Sequence, residues 1–408
     1  METFFPKNFF EGNRSRLSKL FIGTAPILIT ANGLIQSGGD NTLPFKQDAS
    51  FWYLTGLDIP DAVLVIDKNQ EYLIVPSRSV TRQNFDGAID PDYIKARSGI
   101  NEIYDEKAGW AKLKGRIKKV KHVATLPAPK PYLETFGFYT NPARANLNLK
   151  LKNLNPNLKF LDLTQQLTKM RSIKQPEELR AIAKAIDITI KSLNKACSAK
   201  SLKTAKNEYE IEATLTFNMR RLGADGHGFE PIVAGGPNAT TLHNTSNDSP
   251  IKPGELLLID CGALVEHYTA DLTRTYGVNA TKRQRDIYAS VKEVQEFGIN
   301  LLKPGLSLKD YEQEVENFMG EQLRELGLIK SINRENVRKY YPHATSHFLG
   351  LNVHDIGDYN QPLAPGNVLT VEPGIYIREE GIGIRIEDDV LITPSGNKLL
   401  SKKLAKNL

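Results

Sequence analysis

Apolar and polar positions along the 408 residues fall into two regimes. Through about residue 170, short apolar runs recur at residues 26–30 (PILIT), 62–66 (AVLVI), 72–75 (YLIV), 121–125 (KHVAT) and 159–163 (KFLDL), separated by polar stretches and turn residues. Runs of this length with such punctuation predict strands, and their alternation with helical stretches predicts an α/β domain with a mixed sheet. Residues 51–57 (FWYLTGL) form the densest aromatic stretch and are expected in a core or interface. The pattern then changes at residues 171–178 (RSIKQPEE), where Pro176 suits the first helical position and Glu177 and Glu178 suit a helix N-terminus. Leu179, Ile182, Ile186, Ile190, Leu193 and Cys197 follow at gaps of three and four, one apolar stripe on a long helix. A chain of this length exceeds what one core usually supports. Two domains are therefore expected, 1–172 and 173–408.

The second domain contains an internal echo. Residues 207–212 (NEYEIE) lead to Arg221-Leu222-Gly223, and residues 309–314 (KDYEQE) lead to Glu325-Leu326-Gly327, each after a long helix, the second at about 284–302. Two similar halves packed together place a shared site between them. Four strand-like runs here end in acids: Leu256 to Ile259 before Asp260, a run from Thr269 that contains Asp271, Asn367 to Val371 before Glu372, and Gly383 to Ile386 before Glu387. A hairpin turn centred between Val265 and Glu266 sets Asp260 opposite Asp271. Like charges directly opposite are destabilising, so such a pair needs a shared proton or a cation.

Composition narrows the class. A hydrophobic fraction of 40% and a charged fraction of 25% describe an ordinary globular protein. The net charge of +6 is spread along the chain. Only residues 112–121 (KLKGRIKKVK) are locally basic, and Leu113, Ile117 and Val120 mark them as a surface element with a packed side, so no nucleic-acid partner is expected. The N-terminal stretch METFFPKNFFEGNRSRL lacks the basic and apolar regions of a secretion leader, and no run reaches membrane-spanning length, so no membrane partner is expected. Two cysteines, Cys197 and Cys261, make neither a disulfide framework nor a zinc motif, and a cytoplasmic location is the simplest fit. Strand alternation turns Cys261 away from Asp260. No phosphate-binding glycine loop of either common type is present.

The histidines add to the acids. His243, His343, His347 and His354 sit in loop or strand contexts, and His343, Thr345 and His347 share one face of an extended segment. Taken singly, each acid also fits a hairpin cap, Arg385 with Glu387 fits a structural pair, and each histidine fits a hydrogen-bonded core residue. Taken together, Asp260, Asp271, Glu372 and Glu387 supply four negative charges, which two divalent cations balance, and His347 supplies a neutral imidazole. This oxygen-rich set without thiolate suits manganese, cobalt or zinc. Paired metals of this kind activate water for hydrolysis.

These residues in their contexts, SHFLGLNVHD, LTVEPGIYI and GIGIRIEDDVLIT around His347, Glu372 and Glu387, resemble the pita-bread metallopeptidases. With FWYLTGL and GGPNATTLHNTSND, nearly the whole chain is similar to the aminopeptidase P family of Xaa-Pro aminopeptidases. The resemblance implies an α/β creatinase-like N-terminal domain and an α+β pita-bread catalytic domain with internal pseudo-twofold symmetry. It implies two divalent ions, Mn(II) first and Co(II) or Zn(II) as alternatives. Asp260 would chelate one ion, Asp271 and Glu387 bridge both, His347 bind the other, and Glu372 bind metal and shuttle a proton. His243, His343 and His354 would contact substrate and stabilise the tetrahedral intermediate, and Arg385 would orient the acids. The implied reaction is attack of a metal-bridging hydroxide on the bond before proline, in peptides with proline second, by a homodimer or homotetramer. A dipeptide-cleaving prolidase shares every ligand, and a metal-free pita-bread binding protein is the alternative outside catalysis. One departure is Ser50, where relatives often carry Asp before the FWYLTG motif.

Overall fold

The computed structural model describes residues 4–68, 70–129 and 136–408, so the first three residues of the stretch read for a leader lie outside it. The chain divides into two units, Met1–Met170 and Arg171–Leu408, the division falling inside the helix Thr164–Ser172. The first unit is built on a six-stranded sheet of β1 (Ile27–Thr30), β2 (Val63–Asp67), β3 (Gln70–Val75), β4 (Glu102–Asp105), β5 (His122–Thr125) and β6 (Lys159–Asp162). Its order is β4-β3-β2-β1-β5-β6, and β2 runs antiparallel to both neighbours while the other pairs are parallel. Leu28, Val65, Ile74 and Val123 meet Leu113 and Ile117 of one helix and Leu147 and Leu151 of another in a single core. The basic stretch is thus the end of an amphipathic helix, Glu106–Ile117, with Leu113 and Ile117 on its buried side.

The aromatic stretch lies on helix Ala49–Thr55, where Phe51, Trp52 and Tyr53 are all buried. Phe5 and Phe10 of the N-terminal region meet the Trp52 ring edge-on at 5.2 and 5.6 Å. Gly56 ends this helix at φ +68, and a Cβ there would lie 2.4 Å from the Phe10 ring, so both backbone and packing require glycine. The acid of this region is Asp48, two positions before the serine noted above. Its carboxylate accepts the Ser50 and Phe51 N–H groups as an N-cap and pairs with Arg144 at 2.6 Å.

In the second unit, helix α1 (Pro176–Ala196) starts with Pro176 and a capping box between Gln175 and Glu178, and buries Ile182, Ile186, Ile190 and Leu193 as the periodicity requires. Helix α2 (Glu208–Arg221) packs on α1, and the echoed α4 (Leu308–Glu325) packs on α3 (Lys282–Leu301). Each helix pair accompanies a three-stranded antiparallel sheet. The first contains β7 (Ile232–Gly235), β8 (Leu256–Cys261) and β11 (Leu272–Gly277). The second contains β12 (Val368–Val371), β15 (Asp388–Thr393) and β16 (Gly396–Leu399). A hairpin of β9 (Ala263–Val265) and β10 (Tyr268–Thr269) follows β8, and a two-stranded ribbon of β13 (Gly374–Ile377) and β14 (Ile382–Arg385) precedes β15.

The expected hairpin register is corrected by this structure. The turn residues are Glu266 and His267, both at positive φ (47° and 68°), the combination of a two-residue type I′ turn. That turn pairs Val265 with Tyr268 and sets Asp260 opposite Thr273 instead of Asp271. The Asp260 and Asp271 side chains still share a face, because Asp271 is the diagonal neighbour two residues before Thr273.

Candidate metal centre

All nine residues singled out from the sequence line one cavity of about 290 Å³ in the second unit. Asp260 is the last residue but one of the apolar strand β8, flanked by β7 and β11. Asp271 sits at the break before β11, where its N–H donates to Asp389 Oδ2 at 3.1 Å. Glu387 joins β14 to β15; its N–H donates to the Thr273 carbonyl and its Oε2 accepts the Thr273 hydroxyl at 2.7 Å. Glu372 joins β12 to β13, with its N–H donated to the Thr345 carbonyl. The backbone carrying these acids is thereby held by hydrogen bonds, and Glu387 is held at its carboxylate as well.

Oxygen and nitrogen atoms of Asp271, His347 and Glu387 all lie within 4.8 Å of one another. His347 Nδ1 lies 3.1 Å from the Phe348 carbonyl and so carries its proton there. Nε2 then faces Asp271 Oδ2 at 3.4 Å and Glu372 Oε1 at 3.3 Å. Burial, with His354 beside it, pushes His347 down to about 3, so at neutral pH a lone pair points at two carboxylates. Burial raises Asp271 and Glu387 well above the carboxylate range, with the charges of Glu387 and Asp260 adding to it at Asp271 and those of Glu372 and Asp260 at Glu387, and pushes Glu372 up to about 8. Asp260 gives Oδ2 to Arg385 at 2.6 Å and leaves Oδ1 buried without a partner among the described residues. Arg385 is the one guanidinium in the cavity lining, and Tyr376 and Thr273 also accept from it. Converging lone pairs, raised carboxyls and an orphaned buried oxygen fit divalent cations, which would bind to all of them.

The segment from Tyr341 to Gly350 is neither helix nor regular strand. His343 and His347 face the cavity, but Thr345 turns away and is buried against the Tyr341 hydroxyl at 2.6 Å. His343 has both nitrogens engaged: Nδ1 with the Ala344 carbonyl and Nε2 with the Tyr376 hydroxyl, each at 2.9 Å. Arg385 donates to Tyr376, so the Tyr376 proton points at His343. Burial pushes His343 down to about 3. His243 and His354 also line the cavity, and their rings have no hydrogen-bond partner among the described residues.

Four contributors escape a reading of local motifs. Thr273 connects Glu387 to Arg385, and strand alternation from Asp271 was the available signal. Tyr376 links Arg385 to His343, and Asp389 anchors Asp271. Glu312 on α4 accepts the Thr345 and Ser346 N–H groups and fixes the histidine segment from more than thirty residues away, with no local signal.

The fold and these acids define a metallopeptidase, and the sequence places it: the chain belongs to metallopeptidase family M24, whose model matches residues 180–394. Residues 10–124 match the aminopeptidase P N-terminal domain. The Xaa-Pro aminopeptidase of Haemophilus influenzae is 33% identical across 99% of this chain and 96% of its own length. The low-pH form of Escherichia coli aminopeptidase P aligns with TM-score 0.86 at 30% identity, covering 100% of this chain and 97% of that one. A zinc-substituted form of the same enzyme, in complex with product, aligns at 0.85 with 30% identity over 98% of this chain and 96% of that one. The protein is accordingly a metal-dependent exopeptidase with the two-domain pita-bread arrangement, and its site binds divalent metal.

Proposed function

We propose that this enzyme is an Xaa-Pro aminopeptidase, releasing the N-terminal residue from peptides whose second residue is proline. The relatives' names support this specificity, and the observation that carries the chemistry is the set of His347, Asp271, Glu372 and Glu387 lone pairs converging beside the orphaned Asp260 oxygen. We assign Asp260, Asp271, His347, Glu372 and Glu387 to two divalent ions, manganese first, with cobalt and zinc suited to the same donors. When bound, the ions polarise the scissile carbonyl and lower the pKa of water to the physiological range.

Glu372 takes the proton of the attacking water and returns it to the departing proline nitrogen, which has no hydrogen of its own in the peptide. His354 and His243, free of internal partners, offer N–H groups to the developing oxyanion and the bound peptide. His343 acts from behind, held in one tautomer by Tyr376. Arg385 fixes Asp260 through its Oδ2 and leaves Oδ1 without a partner among the described residues. The reading includes a cytoplasmic homodimer or homotetramer, which sedimentation in solution tests; among the described residues no helix is long and apolar enough to cross a membrane.

Elemental analysis of the purified protein, with hydrolysis of Gly-Pro-Ala and Gly-Pro under added manganese, tests the proposal. Release of glycine from the tripeptide is expected, with two metal equivalents per chain. Cleavage of Gly-Pro alone would replace it with a dipeptidase, and full activity in Asp260→Asn and Glu372→Gln would end the metal assignment.

A further inference from the structure

We infer that Glu230 gives this site a preference for peptides whose N-terminal residue has a cationic side chain. The inference deepens the peptidase reading above and rests on it. Strand β7 pairs with β8 so that Ile232 lies opposite Asp260. Directly opposed residues put their side chains on the same face, and alternation returns Glu230 to that face about 7 Å further along the chain. Pro231 between them keeps residue 230 extended. Ile232 and Glu230 line the same cavity as the metal-site acids.

Charge separates Glu230 from those acids. Two divalent ions balance Asp260, Asp271, Glu372 and Glu387, and Arg385 is committed to Asp260, Tyr376 and Thr273. Glu230 has no ion pair or hydrogen bond among the described residues. The field of Glu230 reaches His227, but that ring bonds Thr216 at 2.8 Å and burial holds it below the ordinary histidine pKa, so it is neutral at pH 7. Glu230 therefore remains the one carboxylate of the cavity lining that neither the metal ions nor a side chain among the described residues meets directly.

The surroundings select what answers that charge. Phe229, Leu242 and Val353 give the cavity apolar walls. A lysine or arginine side chain lays an aliphatic stem on such walls and presents its charge at the tip. The peptide's α-amino group is attached to the carbon next to the scissile carbonyl, so it stays at the reacting end, and the longer side chain spans the distance to Glu230. Because Glu230 is exposed, the gain is modest and shrinks with salt.

The test uses the full chain loaded with manganese and two peptides of matched stem, Lys-Pro-Pro and norleucine-Pro-Pro. The readout is the ratio of their kcat/KM values within one enzyme, so general effects of a substitution cancel. A ratio of about 3 at low ionic strength is expected, falling in high salt. Glu230→Gln brings it to about 1 through a higher KM for the lysine peptide, and Glu230→Lys moves the preference toward Glu-Pro-Pro. A wild-type ratio near 1, or one unchanged in Glu230→Gln while both peptides are cut, overturns this inference alone. A wild type that cuts neither peptide with manganese, cobalt or zinc overturns the peptidase reading and this inference with it.

Discussion

Divalent cations should enter this site in competition with protons, so their apparent affinity should climb with pH to about 8. In the metal-free protein burial pushes Glu372 to about 8, and burial with repulsion from neighbouring carboxylates raises Asp271 and Glu387 as well. At pH 6 the Glu372 proton lies two pH units below its pKa, and displacing it costs about 2.7 kcal/mol, a roughly 100-fold loss of affinity from that one group. Protons on Asp271 and Glu387 steepen the slope further. The metal-free protein has the matching stability signature. A carboxyl raised in the folded state binds its proton there before the unfolded chain does, so folding loses stability as pH rises from about 4.5 toward 8. His343 and His347, lowered to about 3, act in the opposite sense and lose stability as pH falls below about 6.5. Manganese added at 100 times its dissociation constant contributes about 2.7 kcal/mol per site, and two sites raise Tm by roughly 10 to 20 °C.

Titration calorimetry on metal-stripped protein at pH 6, 7 and 8, in two buffers of different ionisation enthalpy, counts the protons released, and thermal unfolding at the same pH values follows stability. Glu372→Gln should remove its share of the release while the other carboxyls keep theirs. Equal affinity at pH 6 and pH 8, with no proton release, would refute the reasoning, because the acids would then be ionised without metal or would take no part in binding it.

Three further outcomes follow from the hydrogen bonds around the acids. Thr273→Val removes the hydroxyl between Glu387 and Arg385 and should weaken metal binding by about 10-fold in a chelator competition, with Thr273→Ser close to wild type. Tyr376→Phe leaves His343 Nε2 and an Arg385 donor without their shared partner, and should lower both kcat and Tm, the latter by an unfolding cost of about 1 to 2 kcal/mol. Arg274→Met removes a buried guanidinium that pairs with Asp388 at 2.7 Å and donates to the Glu387 carbonyl. Chemical denaturation should show a loss of about 3 kcal/mol, the lower end for a broken buried pair because Gln295, Ser401 and Lys406 still reach Asp388.

Much of this protein could be read along the chain because local rules apply to it. Apolar runs bounded by turn residues gave the strands of the first unit, the stripe from Leu179 to Leu193 gave a long helix, and acids at the ends of apolar strands stood out because a packed core excludes unpaired charge. Residue type also pointed to the proposed donor set, since four carboxylates and an imidazole suit a hard or borderline divalent ion wherever they meet. What one dimension could not decide was contact. The choice of Glu266 and His267 as turn residues moved the pairing of β8 with β11 by two positions, because register depends on which backbone adopts positive φ. Thr273, Tyr376 and Glu312 joined the site only because strands and a helix distant in sequence bring them there. His343, alike in sequence to His354, became an internally bonded ring while His354 stayed free. A side chain's chemistry is set by its type, but its partners, protonation and reach depend on neighbours that only the folded chain supplies.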